Sequence, residues 1–124
     1  MSEKLNILVV DDKKIIGDLF DFTLGYSGHH ITVVEQAQGA YEALKEKHFD
    51  IAFVDIVMPE NDGVEVLKEL KRLSPQLPVV MMSGYSMEDK KKKALESGAV
   101  TCLKKPFEMD EVKAVIKSTL HKDI

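Results

Sequence analysis

The side chains best suited to chemistry in this sequence are Asp11 and Asp12, Asp55, Ser83 and Lys105. Each stands at or just past the end of an apolar run: Leu5–Val10, Ile51–Val54, Pro78–Met82 and Val100–Leu103. If the first and third runs are neighbours, three carboxylates meet. They cannot all stay ionised unless a cation compensates or a pKa rises. A hard divalent cation held by carboxylates, a carbonyl and waters describes a magnesium site. No Cys or His lies near these run ends to suit zinc. A lysine and a serine hydroxyl add a point charge and a hydrogen-bond donor for a tetrahedral dianion. A carboxylate can also act as a nucleophile and form an acyl phosphate. Cation and lysine would then share the charge on the transferred phosphoryl oxygens. Asp55, alone on its run, is the expected nucleophile, and the pair Asp11 and Asp12 suits the cation.

The elements that would position these residues follow from periodicity. Ile51-Ala-Phe-Val54 has no polar alternation, so it reads as a strand buried on both faces. Pro59 and Asn61-Asp62-Gly63 then force a turn. From Lys13 the period becomes helical, with Ile15, Ile16, Leu19, Phe20, Thr23 and Leu24 on one face and Lys14, Gly17, Asp18 and Asp21 on the other. Gly25 or Gly28 is the expected stop. Ile31–Val34 is a short strand and Gln38-Gly39 opens a second helix. Val64, Leu67, Leu70 and Leu73 mark a third, which ends before Pro75. Ser86 and Asp89 are spaced as a capping box for a fourth helix running to Gly98. Val112, Val115, Ile116 and Leu120 mark a fifth. Strands alternating with helices specify a parallel sheet covered on both faces, with right-handed crossovers. Ligands of such sheets bind beyond the carboxyl ends of the strands, where the five reactive side chains converge.

Composition narrows the class. The 124 residues fit one domain with a sizeable core. A hydrophobic content of 44% beside 31% charged residues argues against disorder. A formal charge of −4 carries no footprint for nucleic acid. The lone cysteine, Cys102, excludes an internal disulfide framework. No apolar run approaches the ~18 residues of a membrane span, and the start lacks a signal-peptide layout. A cytoplasmic protein is expected, without direct contact to nucleic acid or membrane.

The motifs Val9-Val10-Asp11-Asp12, Val54-Asp55-Ile56-Val57-Met58-Pro59, Asp62-Gly63, Met82-Ser83-Gly84, Gly98-Ala99 and Lys105-Pro106-Phe107 together resemble the CheY-like receiver domains of two-component response regulators. The resemblance spans essentially the whole chain, and implies one receiver domain over residues 1–124. It implies a doubly wound five-stranded parallel sheet of order 2-1-3-4-5, flavodoxin-like. Asp55 would accept a phosphoryl group from a histidine kinase. Asp12 would bind Mg²⁺ directly, Asp11 mostly through water, and the Val57 carbonyl would supply a further ligand. Ser83 would donate to a phosphoryl oxygen and Lys105 would pair with the phosphoryl group. The Lys105–Pro106 bond would be cis, against about 5–6% of X–Pro bonds in general. Such a domain promotes its own phosphorylation and hydrolysis without turning over an external substrate, and a monomer or weak homodimer is expected.

Phosphorylation adds about −1.5 to −2 charge units. In the family, the serine then draws in the loop after strand four, and an aromatic residue on strand five rotates inward. The face of helix four, strand five and helix five changes with it. Cys102 occupies the aromatic position here, so a muted or rerouted output is expected. Val57 and Tyr85 flank the path of the hydrolysing water without a group to orient it, which implies a long-lived phosphoryl group. Other classes are a phosphorylation-independent adaptor of the same fold, a metal-dependent aspartyl phosphatase and a flavodoxin-like electron carrier. The phosphatase lacks a second carboxylate two residues after Asp55, where Val57 stands. The electron carrier lacks a glycine- and hydroxyl-rich loop after the first strand. Plainer roles also weigh on single residues. Asp11 and Asp12 could cap the first helix, Ser83 could be an ordinary turn residue, and Cys102 a small apolar filler. The run Lys90–Lys93 spans a full turn and reads first as a solvated face.

Overall fold

The computed structural model describes residues 4–84 and 86–124. Five strands, β1 (Asn6–Val10), β2 (His30–Val34), β3 (Ile51–Asp55), β4 (Val79–Ser83) and β5 (Cys102–Lys104), form one parallel sheet in the order β2-β1-β3-β4-β5. The helices between and after them are α1 (Lys14–Phe20), α2 (Ala37–Glu46), α3 (Gly63–Leu73), α4 (Glu88–Glu96) and α5 (Met109–Leu120). This is the doubly wound, flavodoxin-like order expected.

Strand alternation builds two apolar layers. Leu8, Val10, Ala52, Val54, Val79 and Met81 face α2, α3 and α4, packing with Val66, Leu67 and Leu70. Ile7, Val9, Ile51, Phe53, Val80 and Met82 pack on the other side with Phe20, Val112 and Ile116 from α1 and α5. Residues 51–55 and 79–83 are all buried, because β3 and β4 are central and covered on both faces. The edge strand β2 is only partly covered.

Several boundaries differ from the periodic reading. The first helix passes at Asp21 into a π-helical turn, Asp21–Gly25, closed by Tyr26 N–H donating to Asp21 O at 3.0 Å. The Thr23 hydroxyl donates to the Leu19 carbonyl at 2.6 Å, and such back-bonding bends helices. The expected apolar face of α1 is split. Phe20 and Leu24 are buried, but Ile15 is 68% and Leu19 39% exposed. Gly17, expected on the solvent face, is buried against Val33, where a Cβ would lie 2.6 Å from Cγ1. The close approach to an edge-strand side chain overrides the periodic count. The capping box at Ser86 and Asp89 does not form. Met87 is the N-cap of α4 and has no side-chain bond, while Ser86 is left-handed at φ 61°. The regular strand begins at Cys102 rather than Val100, although bonding to β4 already starts with Val100 N–H donating to Val79 O and Met81 N–H donating to Thr101 O.

Between β3 and α3 the chain forms a small antiparallel hairpin, pairing Val57 with Asp62 and Met58 with Asn61. Asp62 caps α3 by accepting from Val64 N–H at 2.9 Å. Gly63 N–H donates to Ile56 O at 2.8 Å. A Cβ at Gly63 would collide with the Asp55 carbonyl and the Ile56 backbone, so only glycine fits.

Candidate acidic site at the carboxyl edge of the sheet

Adjacent β1 and β3 end in Asp11 and Asp55, and each carboxylate is buried. Lys105 arrives from the loop after β5, at the far side of the sheet. Its Nζ lies 2.7 Å from Asp11 Oδ2 and 3.2 Å from Asp55 Oδ2. The Lys105–Pro106 peptide is cis, as the resemblance implies. Asp55 Oδ1 accepts from the Val57 N–H at 3.2 Å, and Asp11 Oδ1 accepts from the Lys13 N–H at 2.8 Å. That second bond ties a turn. Lys13 is the N-cap of α1 without a side-chain cap bond, so neither Asp11 nor Asp12 caps that helix.

The charge at this edge is unbalanced. Asp11, Asp12 and Asp55 each offer an oxygen within 4.8 Å of the others. The Lys105 side chain is 20% exposed, while that of Lys13 is 65% exposed and pairs with Asp12 Oδ2 at 3.3 Å. Burial pushes the Asp55 carboxyl above its usual range. Lys105 pulls it back, and the like charge of Asp11 raises it again. For Lys105, burial works against the charged form. The hydrogen bond to Asp11 and the charges of Asp55 and Asp11 outweigh that, so its pKa is raised.

Asp12 Oδ1 is buried with no hydrogen-bond partner among the described residues. Such an orphan is costly unless something further binds there. An all-oxygen donor set with surplus negative charge fits a hard divalent cation, and Asp11, Asp12 and Asp55 are the residues that could hold it.

The remaining predicted residues fall around this cluster. Ser83 is buried at the end of β4, and its carbonyl accepts from Lys105 N–H at 2.6 Å. Val57 follows Asp55 closely, with 48% of its surface exposed. Pro106 lines an apolar pocket with Ile15, Leu19 and Phe107. Cys102 is half-buried beside Ser83, Met87 and Lys91, in a small cavity. Burial pushes its thiol pKa up, with Lys91 opposing and Glu88 assisting, which agrees with a packing thiol rather than a reactive one. Tyr85 lies outside the described residues. Periodicity missed Asn61, whose Oδ1 accepts from Ala37 N–H at the start of α2 at 3.0 Å. No local signal could have found it.

The site is thus a carboxylate cluster with a lysine at the carboxyl edge of a doubly wound parallel sheet. The response regulator receiver domain family matches residues 7–117. The chain belongs to that family. It is similar to the transcriptional regulatory protein ZraR of Klebsiella oxytoca, 36% identical over 119 residues, covering 96% of this chain and 27% of that protein. It also resembles the sensor histidine kinase RcsC of Escherichia coli, 34% identical over 96% of this chain but only 12% of that one. The chain thus spans about a quarter or less of these relatives. Among solved structures, the receiver domain of NtrX from Brucella abortus superposes with a TM-score of 0.86 at 34% identity, covering 93% of this chain and 98% of that domain.

Proposed function

We propose that this receiver domain takes a phosphoryl group onto Asp55 from the phosphohistidine of a histidine kinase, in a Mg²⁺-dependent reaction, and signals by changed protein contacts. The observation that carries the proposal is the acidic cluster of Asp11, Asp12 and Asp55, in which Lys105 pairs with Asp11 and Asp55 while one Asp12 oxygen has no hydrogen-bond partner among the described residues. Mg²⁺, held by the three carboxylates and the Val57 carbonyl, would neutralise charge on the transferring phosphoryl oxygens.

The chain's own groups supply the rest. An Asp55 carboxylate oxygen attacks phosphorus, the bond to the donor nitrogen breaks, and the electron pair leaves with the imidazole. Val57 N–H holds the other Asp55 oxygen and so orients the nucleophile. Lys105 already pairs with Asp55 and Asp11, and follows the new charge by re-pairing with a phosphoryl oxygen. Ser83, at the neighbouring strand end, donates to another. The domain acts on its own carboxylate and turns over no external substrate. Bulky Val57, and Tyr85 in the sequence, favour a slow loss of the phosphoryl group.

Exposed Ile15 and Leu19 border the Lys105–Phe107 loop, and an exposed apolar patch beside the acceptor suits a protein that must present its phosphohistidine there. The output face is that of α4, β5 and α5, where Leu95 of α4 and Val100 just before β5 are exposed. No helix among the described residues is long and apolar enough to cross a membrane, which is consistent with action in a reducing cytoplasm, as a monomer or weak homodimer.

The test is intact mass after incubation with a small acyl-phosphate donor, with and without Mg²⁺, for wild type and Asp55→Asn. One phosphoryl adduct is expected, dependent on Mg²⁺ and absent from the variant. No adduct on the folded protein would overturn the proposal and favour an adaptor that binds partners without phosphate.

A further inference from the structure

The hairpin after β3 is bolted to helix α2 by one side chain. Helix α2 begins at Ala37, whose residue is buried, and its N-cap Gln36 makes no side-chain bond. The first amides of a helix lack intrahelical acceptors and need a partner. For Ala37 N–H that partner is Asn61 Oδ1, at 3.0 Å and 24 residues away. Asn61 is itself the last-but-one residue of the hairpin, paired with Met58, while the next residue, Asp62, pairs with Val57. Asp62 in turn caps α3 through Val64 N–H at 2.9 Å. Two successive side chains therefore hold one hairpin between two helix N-termini.

What this hairpin carries is the amide that orients the reacting group. Val57 N–H donates to Asp55 Oδ1 at 3.2 Å, so the position of the hairpin strand sets the Asp55 carboxylate. The same hairpin walls one side of a cavity of which Asp12 is another wall, with Glu35, Gln36, Met58 and Asn61. Each strand of the hairpin is only two residues long, and its base is closed by Gly63 N–H donating to Ile56 O at 2.8 Å, so the Asn61 bond is what ties its tip side to α2.

We infer that Asn61 is a positioning residue of the acidic site: its bond to Ala37 N–H fixes the hairpin, and thereby holds Asp55 and Asp12 in register for a divalent cation. The inference rests on the reading of Asp11, Asp12 and Asp55 as a cation site. Asn61 touches neither cation nor phosphoryl group and acts through Val57 and Asp55. A group that orients a metal ligand directly is worth about 10–100-fold in affinity. Asn61 acts one step further out, so a loss of about 3–10-fold is expected, below or at the edge of that range.

The experiment is a Mg²⁺ titration of the unphosphorylated protein, followed by amide NMR shifts, on wild type, Asn61→Ala, Asn61→Ser and Asn61→Asp. Alanine removes the acceptor and serine is too short to reach Ala37. Aspartate keeps the acceptor at a helix N-terminus, where a carboxylate is favoured. The expected result is weaker Mg²⁺ binding in the first two, faster hydrogen exchange of the Ala37 amide, and affinity in Asn61→Asp at or above wild type. A purely structural cap would lower thermal stability and leave the Mg²⁺ affinity unchanged, which would overturn the inference. So would an Asn61→Asp protein that binds Mg²⁺ as weakly as Asn61→Ala. Absence of saturable Mg²⁺ binding in the wild type would instead overturn the cation reading on which this rests.

Discussion

The two ends of strand β1 treat polar groups in opposite ways. At the amino end, Leu5 N–H donates to His29 Nδ1 at 3.0 Å and Asn6 N–H donates to Asp50 Oδ2 at 2.8 Å. His30 N–H and Asp50 N–H return bonds to the Leu5 and Asn6 carbonyls, both at 2.8 Å. Each of these side chains completes a backbone group. At the carboxyl end, Asp11 and Asp55 share Lys105, and Asp12 keeps a buried oxygen without a partner among the described residues. A satisfied polar network holds structure together, whereas an unsatisfied one stores a demand that a ligand can meet. The same strand is anchored at one end and poised at the other.

The comparison breaks most sharply at Lys105. Removing one partner of a buried ion pair typically costs about 3–5 kcal/mol. Because part of the Lys105 side chain reaches water, Lys105→Ala is expected to cost less, about 1–3 kcal/mol in urea unfolding without metal. Mg²⁺ should restore more stability to this variant than to wild type, because it then supplies the compensating charge that Lys105 no longer does. An unchanged midpoint would mean that the carboxylates are not held in surplus.

A smaller effect of opposite sign is expected for Asp55→Asn. Burial first, then Asp11, raise the Asp55 pKa over the pull of Lys105. The folded state therefore holds a proton that the unfolded state has already released. Stability contributed in this way is present at low pH and is lost as pH rises from 3.8 through the folded value. Without metal at neutral pH, Asp55→Asn should be more stable than wild type, with a flatter stability profile across that window. Lower stability of the variant at pH 7 would show that the ionised carboxylate is fully compensated.

The smallest effect belongs to the amino end. Burial, then the charges of Lys4 and His30, lower the His29 pKa. The unfolded chain then takes up the proton first, so stability is complete above pH 6.5 and falls as pH drops from there toward the folded value. His29→Asn, which keeps an acceptor for Leu5 N–H, should abolish that part of the acid slope in pH-dependent unfolding. A slope unchanged by the substitution would place the titration elsewhere.

The site was far more legible than its supports. Asp11, Asp55, Ser83 and Lys105 could be read because each interrupts or ends a run of apolar residues whose continuity marks a central strand. Asp62 before Gly63 was legible as a turn, although its role as the α3 cap came only from the fold. The face of α1 was misread at Gly17, because a 3.6-residue period places side chains around an axis but does not know which neighbour will approach it. The role of His29, and that of Asn61 beyond the turn, gave no signal. Their partners lie 24 residues away in each case, and local patterns carry no information about such pairs.

By itself, the order of residues determined the alternation of strands and helices, the carboxylates at the strand ends, and hence the family. These are short-range properties, set by side-chain period and by the cost of burying charge. Only the tertiary structure decided which charges meet. Lys105 reaches Asp11 across 94 residues and Asp55 across 50, because parallel crossovers carry the strand ends to a common edge. The surplus charge at that edge, and the hairpin pinned beside it by Asn61, exist only once the sheet is assembled.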